Sequence, residues 1–213
     1  ANITPTATAA ASATGAPTAT TAAGLPSGAQ TYKDDIPSCD NQGGWQAGTD
    51  TTVSCGSNFV TITNPASSHT VAELFFNVSD SFANNYDVAV QITNITGGCA
   101  GISVLEVQSA AVVGFVCEDG SWGIIQYSSA GSPSIEASGP AGSVSVSGQT
   151  TDLDIVVANF VDFTVDGNRL ASVHRPTSYH GTHSMGLVVS NPDNSTTAAS
   201  ADFAAFSYEP RSS

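Results

Sequence analysis

The stretch TDLDIVVANFVDFTVDGNRLASV, residues 151–173, decides how this chain is read. Leu153, Ile155 and Val157 alternate with Asp152, Asp154 and Val156, and Val161, Phe163 and Val165 alternate with Asp162, Thr164 and Asp166. A period of two sends alternate side chains to opposite faces of a strand. Ala158 to Phe160 leave room for a tight connection, and Asp166-Gly167-Asn168 supplies residues that tolerate positive φ in a second one. Arg169 to Val173 then return. The expectation is a three-stranded antiparallel meander with one apolar face and one acidic, wet face.

Working outward, Gly101 to Val107 and Ala111 to Glu118 read as a hairpin. Pairing them about Gln108 sets Cys99 opposite Cys117, so a disulfide is expected across it. Further strands are expected at Phe59 to Thr63, Thr70 to Asn77, Tyr86 to Thr93 and Trp122 to Tyr127, around Ile135 and Val144, and at Met185 to Ser190 and Ala201 to Tyr208. Asn64-Pro65, Glu118-Asp119-Gly120 and Asn191 to Asn194 punctuate them. Short strands between turn signals, with no helical periodicity, predict an all-β fold: a two-sheet antiparallel β-sandwich of the jelly-roll kind. Leu153, Ile155, Phe163, Val165, Leu187 and Phe206 are its expected core, with Asp152, Asp154 and Asp162 facing water.

Residues 1–30 are Ala, Thr, Ser, Pro and Gly with almost nothing to bury, the composition of an extended stalk or linker. Thr6, Thr8, Thr18 and Thr20 within it are candidate O-glycosylation positions. Asn2, Asn77, Asn94 and Asn194 lie in N-x-S/T sequons, and Asn194, in a turn cluster, is the candidate N-glycan acceptor. The sandwich itself is expected over 31–210, an ordinary size for one such domain. Its lead-in, from Tyr32 to Cys55, reads as irregular chain clamped by a Cys39–Cys55 disulfide. Four Cys at 39, 55, 99 and 117, without the close C-x-x-C pairs of a zinc site, point to an oxidising compartment.

Four Lys plus Arg stand against eighteen Asp plus Glu, a formal charge of −14. Phosphate backbones and anionic lipid surfaces would repel such a chain, so nucleic acid and membrane surfaces are disfavoured partners and neutral polymers remain open. No run of apolar residues is long enough for a transmembrane helix, so no membrane insertion is expected in this segment. The chain starts at Ala1 with no initiator Met, as expected of a processed protein or an excised ectodomain.

VCEDGSWGIIQY, the 151–173 stretch, YHGTHSMGLVVSN and ADFAAFSYEP follow one another in an order that resembles the concanavalin A-like lectin/glucanase superfamily, above all its laminin-G-like and keto-disaccharide-hydrolase-like branches. The corresponding pieces are the Val165-Asp166-Gly167 turn, the Gly181 to Val188 strand and a last strand carrying Phe203 and Phe206. The resemblance implies an extracellular jelly roll, like the modules that follow Thr/Pro-rich linkers in bacterial surface proteins. It does not imply an enzyme, because function lives in the site rather than the fold.

Retaining glucanases of that superfamily place carboxylates by an E-x-D-x-E strand motif, since two of them must flank the sugar bond at roughly 5–5.5 Å. Asp152-Leu153-Asp154 is the nearest approach. It lacks Glu, and exposed Asp residues have no burial or neighbour to shift one carboxyl, so no catalytic residue is assigned. His174, His180 and His183 sit in a polar loop without the helix context of a zinc motif, no calcium-loop spacing occurs, and no metal or cofactor is assigned. Trp45, Trp122, Tyr127 and Tyr179 are the candidates for stacking on sugar rings. The sequence therefore reads as a non-catalytic, secreted or cell-surface module binding a glycan or another surface polymer. The alternative is a structural subunit of a surface assembly or filament, a homo-oligomer contacting its next copy through the N-terminal segment or an edge strand.

Overall fold

The computed structural model describes residues 32–34, 45–48, 51–66, 71–77, 85–107, 110–128, 131–146, 148–176, 184–191 and 196–211. The strands are, in chain order, β1 (Tyr32–Asp34), β2 (Trp45–Ala47), β3 (Thr52–Cys55), β4 (Val60–Asn64), β5 (Ala72–Asn77), β6 (Tyr86–Thr96), β7 (Cys99–Val107), β8 (Ala110–Cys117), β9 (Trp122–Ser128), β10 (Gly131–Gly139), β11 (Thr151–Val157), β12 (Phe160–Val165), β13 (Asn168–His174), β14 (Ser184–Ser190) and β15 (Ala199–Pro210). They form two antiparallel sheets. The eight-stranded sheet runs β13-β12-β11-β6-β15-β4-β3, with β1 pairing to β15 off that path, and the seven-stranded sheet runs β10-β9-β8-β7-β14-β5-β2. This is the all-β sandwich that the alternation predicts. Among the described residues no helix is long and apolar enough to cross a membrane.

The meander forms as expected. Leu153 pairs with Val165 and Ile155 with Phe163, while Asp166 (φ 49°) and Gly167 (φ 75°) make the two-residue turn into β13. Two successive positive φ angles match the twist of the flanking strands, which is why Asp-Gly stands there. On the other side β11 pairs with β6, setting Leu153 against Val90 and Ile155 against Val88. The inward sets of both sheets, including Val88, Ile92, Phe203, Phe206, Ile102, Val104, Ile124 and Leu187, meet in one core. Phe163 crosses the sandwich to rest on bare backbone: a Cβ on Gly114 of β8 would stand 2.8 Å from its ring. All six expected core residues are buried.

The β7–β8 hairpin keeps the expected register, with Cys99 opposite Cys117 and disulfide-bonded to it. Cys55 is also disulfide-bonded; its expected partner Cys39 lies outside the described residues. Three corrections apply. The lead-in is not merely irregular, since β2 adds an edge to one sheet through Phe76 and β3 an edge to the other through β4. Val144 is in no strand: its amide donates to the Gly120 carbonyl within a turn region, where Ser, Gly and Pro offer too few side chains for an edge strand to bury. Finally, the hairpin is not regular. The register slips between Val104 and Val107, and Leu105 adopts φ 57°, so that Val104 and its neighbour Leu105 both enter the core. One extra residue in a left-handed conformation is the signature of a bulge, which breaks strict alternation.

Candidate functional site

Each sheet has one face in the core and one turned outward, and the two outward faces differ in chemistry. On the eight-stranded sheet, Asp162, Asp154 and Asp87 stand on the neighbouring strands β12, β11 and β6, and the register places Val156 between Asp162 and Asp87. Arg169 Nη1 lies 3.4 Å from Asp162 Oδ2, and the Arg211 guanidinium pairs with Asp87. The wet face expected here is only partly wet. Asp152 is exposed, but Asp154 and Asp162 are half-buried, and Asp87, Asp154 and Asp162 each have a carboxylate oxygen shielded from solvent with no hydrogen-bond partner. Burial pushes the Asp154 carboxyl up to about 6, the Asp87 charge adds to this, and Arg211 opposes it. The expectation that Asp154 has neither burial nor a neighbour to perturb it is therefore corrected: adjacent strands supply both, which sequence spacing along β11 does not reveal. Further along, Asp202 accepts hydrogen bonds from Thr61 Oγ1 at 2.5 Å and from the Asn94 amide at 2.8 Å, so it ties β15 to β4 and β6. Asn94, a sequon residue, spends its side chain on this contact.

The outward face of the seven-stranded sheet is built from small and apolar residues. Its two central strands, β7 and β14, present Gly101, Ser103, Gly186 and Val188, because Ala100, Ile102, Leu187 and Val189 take the core side. Gly101 must be glycine, since a Cβ there would stand 2.0 Å from the Gly114 carbonyl oxygen. Ser103 is 0% exposed and donates from Oγ to the Gly186 carbonyl at 3.3 Å. The row is packed rather than open: Gly101 and Gly186 are buried as well, and Val188 is 3% exposed. On the β8 side of this row Phe115 reaches over β9: a Cβ on Gly123 would stand 2.7 Å from the ring's Cζ. Val113, Ile125 and half-buried Tyr127 continue the wall, and Ile135 of edge strand β10, 41% exposed, pairs with Ile125. On the β14 side stands Glu73 of β5, in the same cross-strand row as Val188, Gly101, Phe115 and Gly123. The Tyr127 hydroxyl is raised above the usual phenol value, first by burial and then by the Glu73 carboxylate.

The sequence candidates divide accordingly. Tyr127 lies on this face. Trp45 does not: it is 1% exposed, edge-on to Phe206 at 4.8 Å, because its position in β2 points into the core. Trp122 is half-buried on the core side, 6.1 Å from Phe163 and covered by Gly139, where a Cβ would meet the indole. The Trp45 indole offers no face to a sugar, which corrects that expectation, while Trp122, packed against the core, keeps part of its surface exposed; strand parity, not residue type, turns both toward the core. Tyr179, Thr6, Thr8, Thr18, Thr20 and Asn194 lie outside the described residues, as do His180 and His183. His174 ends β13 with its ring 4.6 Å from that of Phe160, which is 44% exposed. Among the described residues no group of three His, Cys, Asp or Glu side chains could hold a metal ion. Sequence reasoning missed Phe115 and Glu73. Phe115 could have been found by its setting, an aromatic whose cross-strand neighbours Gly101 and Gly123 are both glycine; Glu73 carries no local signal.

No family model matches the sequence, and no curated protein does. Solved structures do match in fold. A carbohydrate-binding module, CBM66 from Bacillus subtilis, superposes with TM-score 0.60 at 14% identity over 78% of this chain and 95% of its own. A native glycosidic hydrolase does so with TM-score 0.64 at 12% identity, over 88% and 99%, and a Bacillus licheniformis β-glucanase with 0.63 at 12%, over 85% and 98%. At such identities the likeness defines the fold: a galectin-like, concanavalin A-like jelly roll, as the order of motifs implies. Binding modules and hydrolases share it.

Proposed function

We propose that the protein is a non-catalytic extracellular module that binds a glycan on the outward face of its seven-stranded sheet. The observation that carries this reading is the pair of half-buried aromatics, Phe115 and Tyr127, standing beside a packed row of small residues, Gly101, Ser103, Gly186 and Val188. A sugar ring offers C–H groups that favour an aromatic face and hydroxyls that need acceptors and donors. Phe115 meets the first need, and Tyr127 and Glu73 the second. Hydrolysis by the two-carboxylate route needs a second carboxyl within roughly 5–9.5 Å of the first. Among the described side chains of central strand β7, the outward positions Gly101 and Ser103 carry none, which supports the binding reading. Two disulfide-bonded strand positions in the β7–β8 hairpin and a bonded Cys55 support an oxidising, extracellular setting. The experiment is a binding screen of the whole chain against polysaccharides and an oligosaccharide array, with product analysis of every bound glycan. Binding without new reducing ends is expected. Release of shorter sugars, or binding unaffected by Phe115→Ala and Tyr127→Ala, would overturn the reading.

A further inference from the structure

Solvent reaches the outward face of the seven-stranded sheet unevenly. In the middle Gly101, Ser103, Gly186 and Val188 are buried, and so is Val113 of β8. Toward edge strand β10 the exposure rises: Phe115, Ile125 and Tyr127 are half-buried, and Ile135, which pairs with Ile125, is the most exposed large apolar residue on this sheet among the described residues. Ile124 points into the core, so its neighbour Ile125 faces outward, and so, two residues on, does Tyr127.

These side chains outline a strip whose long axis follows β9. Across the strands it spans the spacings from β8 to β10, about 10 Å, and along β9 it runs from Gly123 to Tyr127, about 14 Å. Three successive outward rows fall on it: Phe115 over Gly123, Ile125 beside Ile135, and Tyr127. A ligand that touches all three has to be extended and flat. The strip also offers nothing to hold an anionic sugar. The chain's four Lys and Arg residues are Lys33 on β1, Arg169 on β13, Arg175 directly after β13 and Arg211 directly after β15, all belonging to the eight-stranded sheet. Glu136, beside Ile135 in a bulge of β10, accepts a hydrogen bond from Ser134 Oγ at 2.6 Å.

Resting on the glycan reading above, we infer that the ligand is an uncharged polysaccharide lying flat and extended along β9, its successive ring faces on Phe115, Ile125 and Tyr127, with Ile135 of the edge strand as a further contact residue. The C–H faces of sugar rings meet aromatic and aliphatic side chains without needing a charge partner. A polymer that coils touches one row and turns away from the next. A uronic acid keeps its ring face, but its carboxylate would lose water with no fixed cation among the sheet's strands to replace it.

Isothermal titration of the full chain against three oligosaccharides of equal length tests this: cellohexaose, which is flat and extended, maltohexaose, the same sugar in a coiled chain, and hexagalacturonate, at about pH 6, where its carboxylates are ionised. Cellohexaose is expected to bind roughly ten-fold tighter than maltohexaose, and hexagalacturonate not at all. Ile135→Ser should weaken cellohexaose binding roughly three- to five-fold with Tm unchanged, since the residue is exposed in the free protein. Phe160→Ser, which removes a comparably exposed apolar side chain from the other sheet, should leave the affinity as it was. Equal binding of the two hexaoses, binding of hexagalacturonate, unchanged affinity in Ile135→Ser, or an equal loss in Phe160→Ser overturns the inference while leaving the glycan reading intact. Failure of all three to bind, with other glycans bound in the wider screen, also overturns it; failure of every glycan in that screen overturns the proposed function itself.

Discussion

The Phe115 ring covers Gly123, with Cζ 2.7 Å from where a Cβ would stand. Gly123→Ala must therefore push the ring's far end away from β9. A flexible tip yields at modest cost in stability, but the platform moves. Glycan affinity is expected to fall roughly five- to ten-fold, about 1–1.4 kcal/mol, with only a small change in Tm. Titration of the variant against whichever glycan the screen finds checks it, and unchanged affinity would place the ligand away from Phe115.

Asp154 carries a pH effect. Its carboxyl, pushed up to about 6 in the fold, has an ordinary value of about 4 in the unfolded chain. The folded state thus holds the proton more tightly, so the stability this provides is full below about pH 4 and is lost as pH rises through about 6. Half-burial lets solvent screen the charge, leaving a loss on the order of 1 kcal/mol. Asp154→Asn should be more stable than the parent by that amount at about pH 7.5 and equal to it near pH 4, as read by urea unfolding. A variant less stable than the parent at the higher pH would contradict the assignment.

Phe163 is the keystone between the sheets, fully buried against Gly114 and Trp122. Phe163→Ala should cost about 3–5 kcal/mol, because the cavity is walled by backbone that cannot collapse into it. Asp152→Asn, on the exposed side of the next strand, should change stability by less than about 0.5 kcal/mol. Thermal unfolding of both variants is the check, and equal effects would mean that the strand parity is inverted.

Cys99 and Cys117 close a loop of sequence separation 18. Replacing both by Ala should cost roughly 3 kcal/mol in the chain-entropy picture. Non-reducing peptide mapping should return the Cys99–Cys117 peptide together with one that joins Cys55 to Cys39. A Cys55–Cys99 peptide would refute the hairpin register.

The sandwich was legible because its strands alternate strictly, as in Leu153-Asp154-Ile155, and because Asp166-Gly167 can do little else but turn. The site was less legible, for a physical reason. Whether an aromatic is platform or core depends on strand parity, which β2 and β9 set through tertiary pairing; Trp45 and Trp122 both fall inward. Asp154 is perturbed first by burial and then by Asp87 and Arg211, which are far away along the chain and brought near it by strand pairing. The left-handed Leu105 that interrupts β7 has no signal in its residue type, since leucine rarely adopts that conformation.

The central claim, that ligand lies on the seven-stranded face, is tested most directly by mapping amide chemical-shift changes by NMR as a bound glycan is titrated in. The account predicts shifts concentrated at Gly101, Ser103, Phe115, Gly123, Tyr127 and Glu73, with Asp87, Asp154 and Asp162 unmoved. Shifts gathered instead on those three aspartates and their strands, with the seven-stranded face silent, would contradict it.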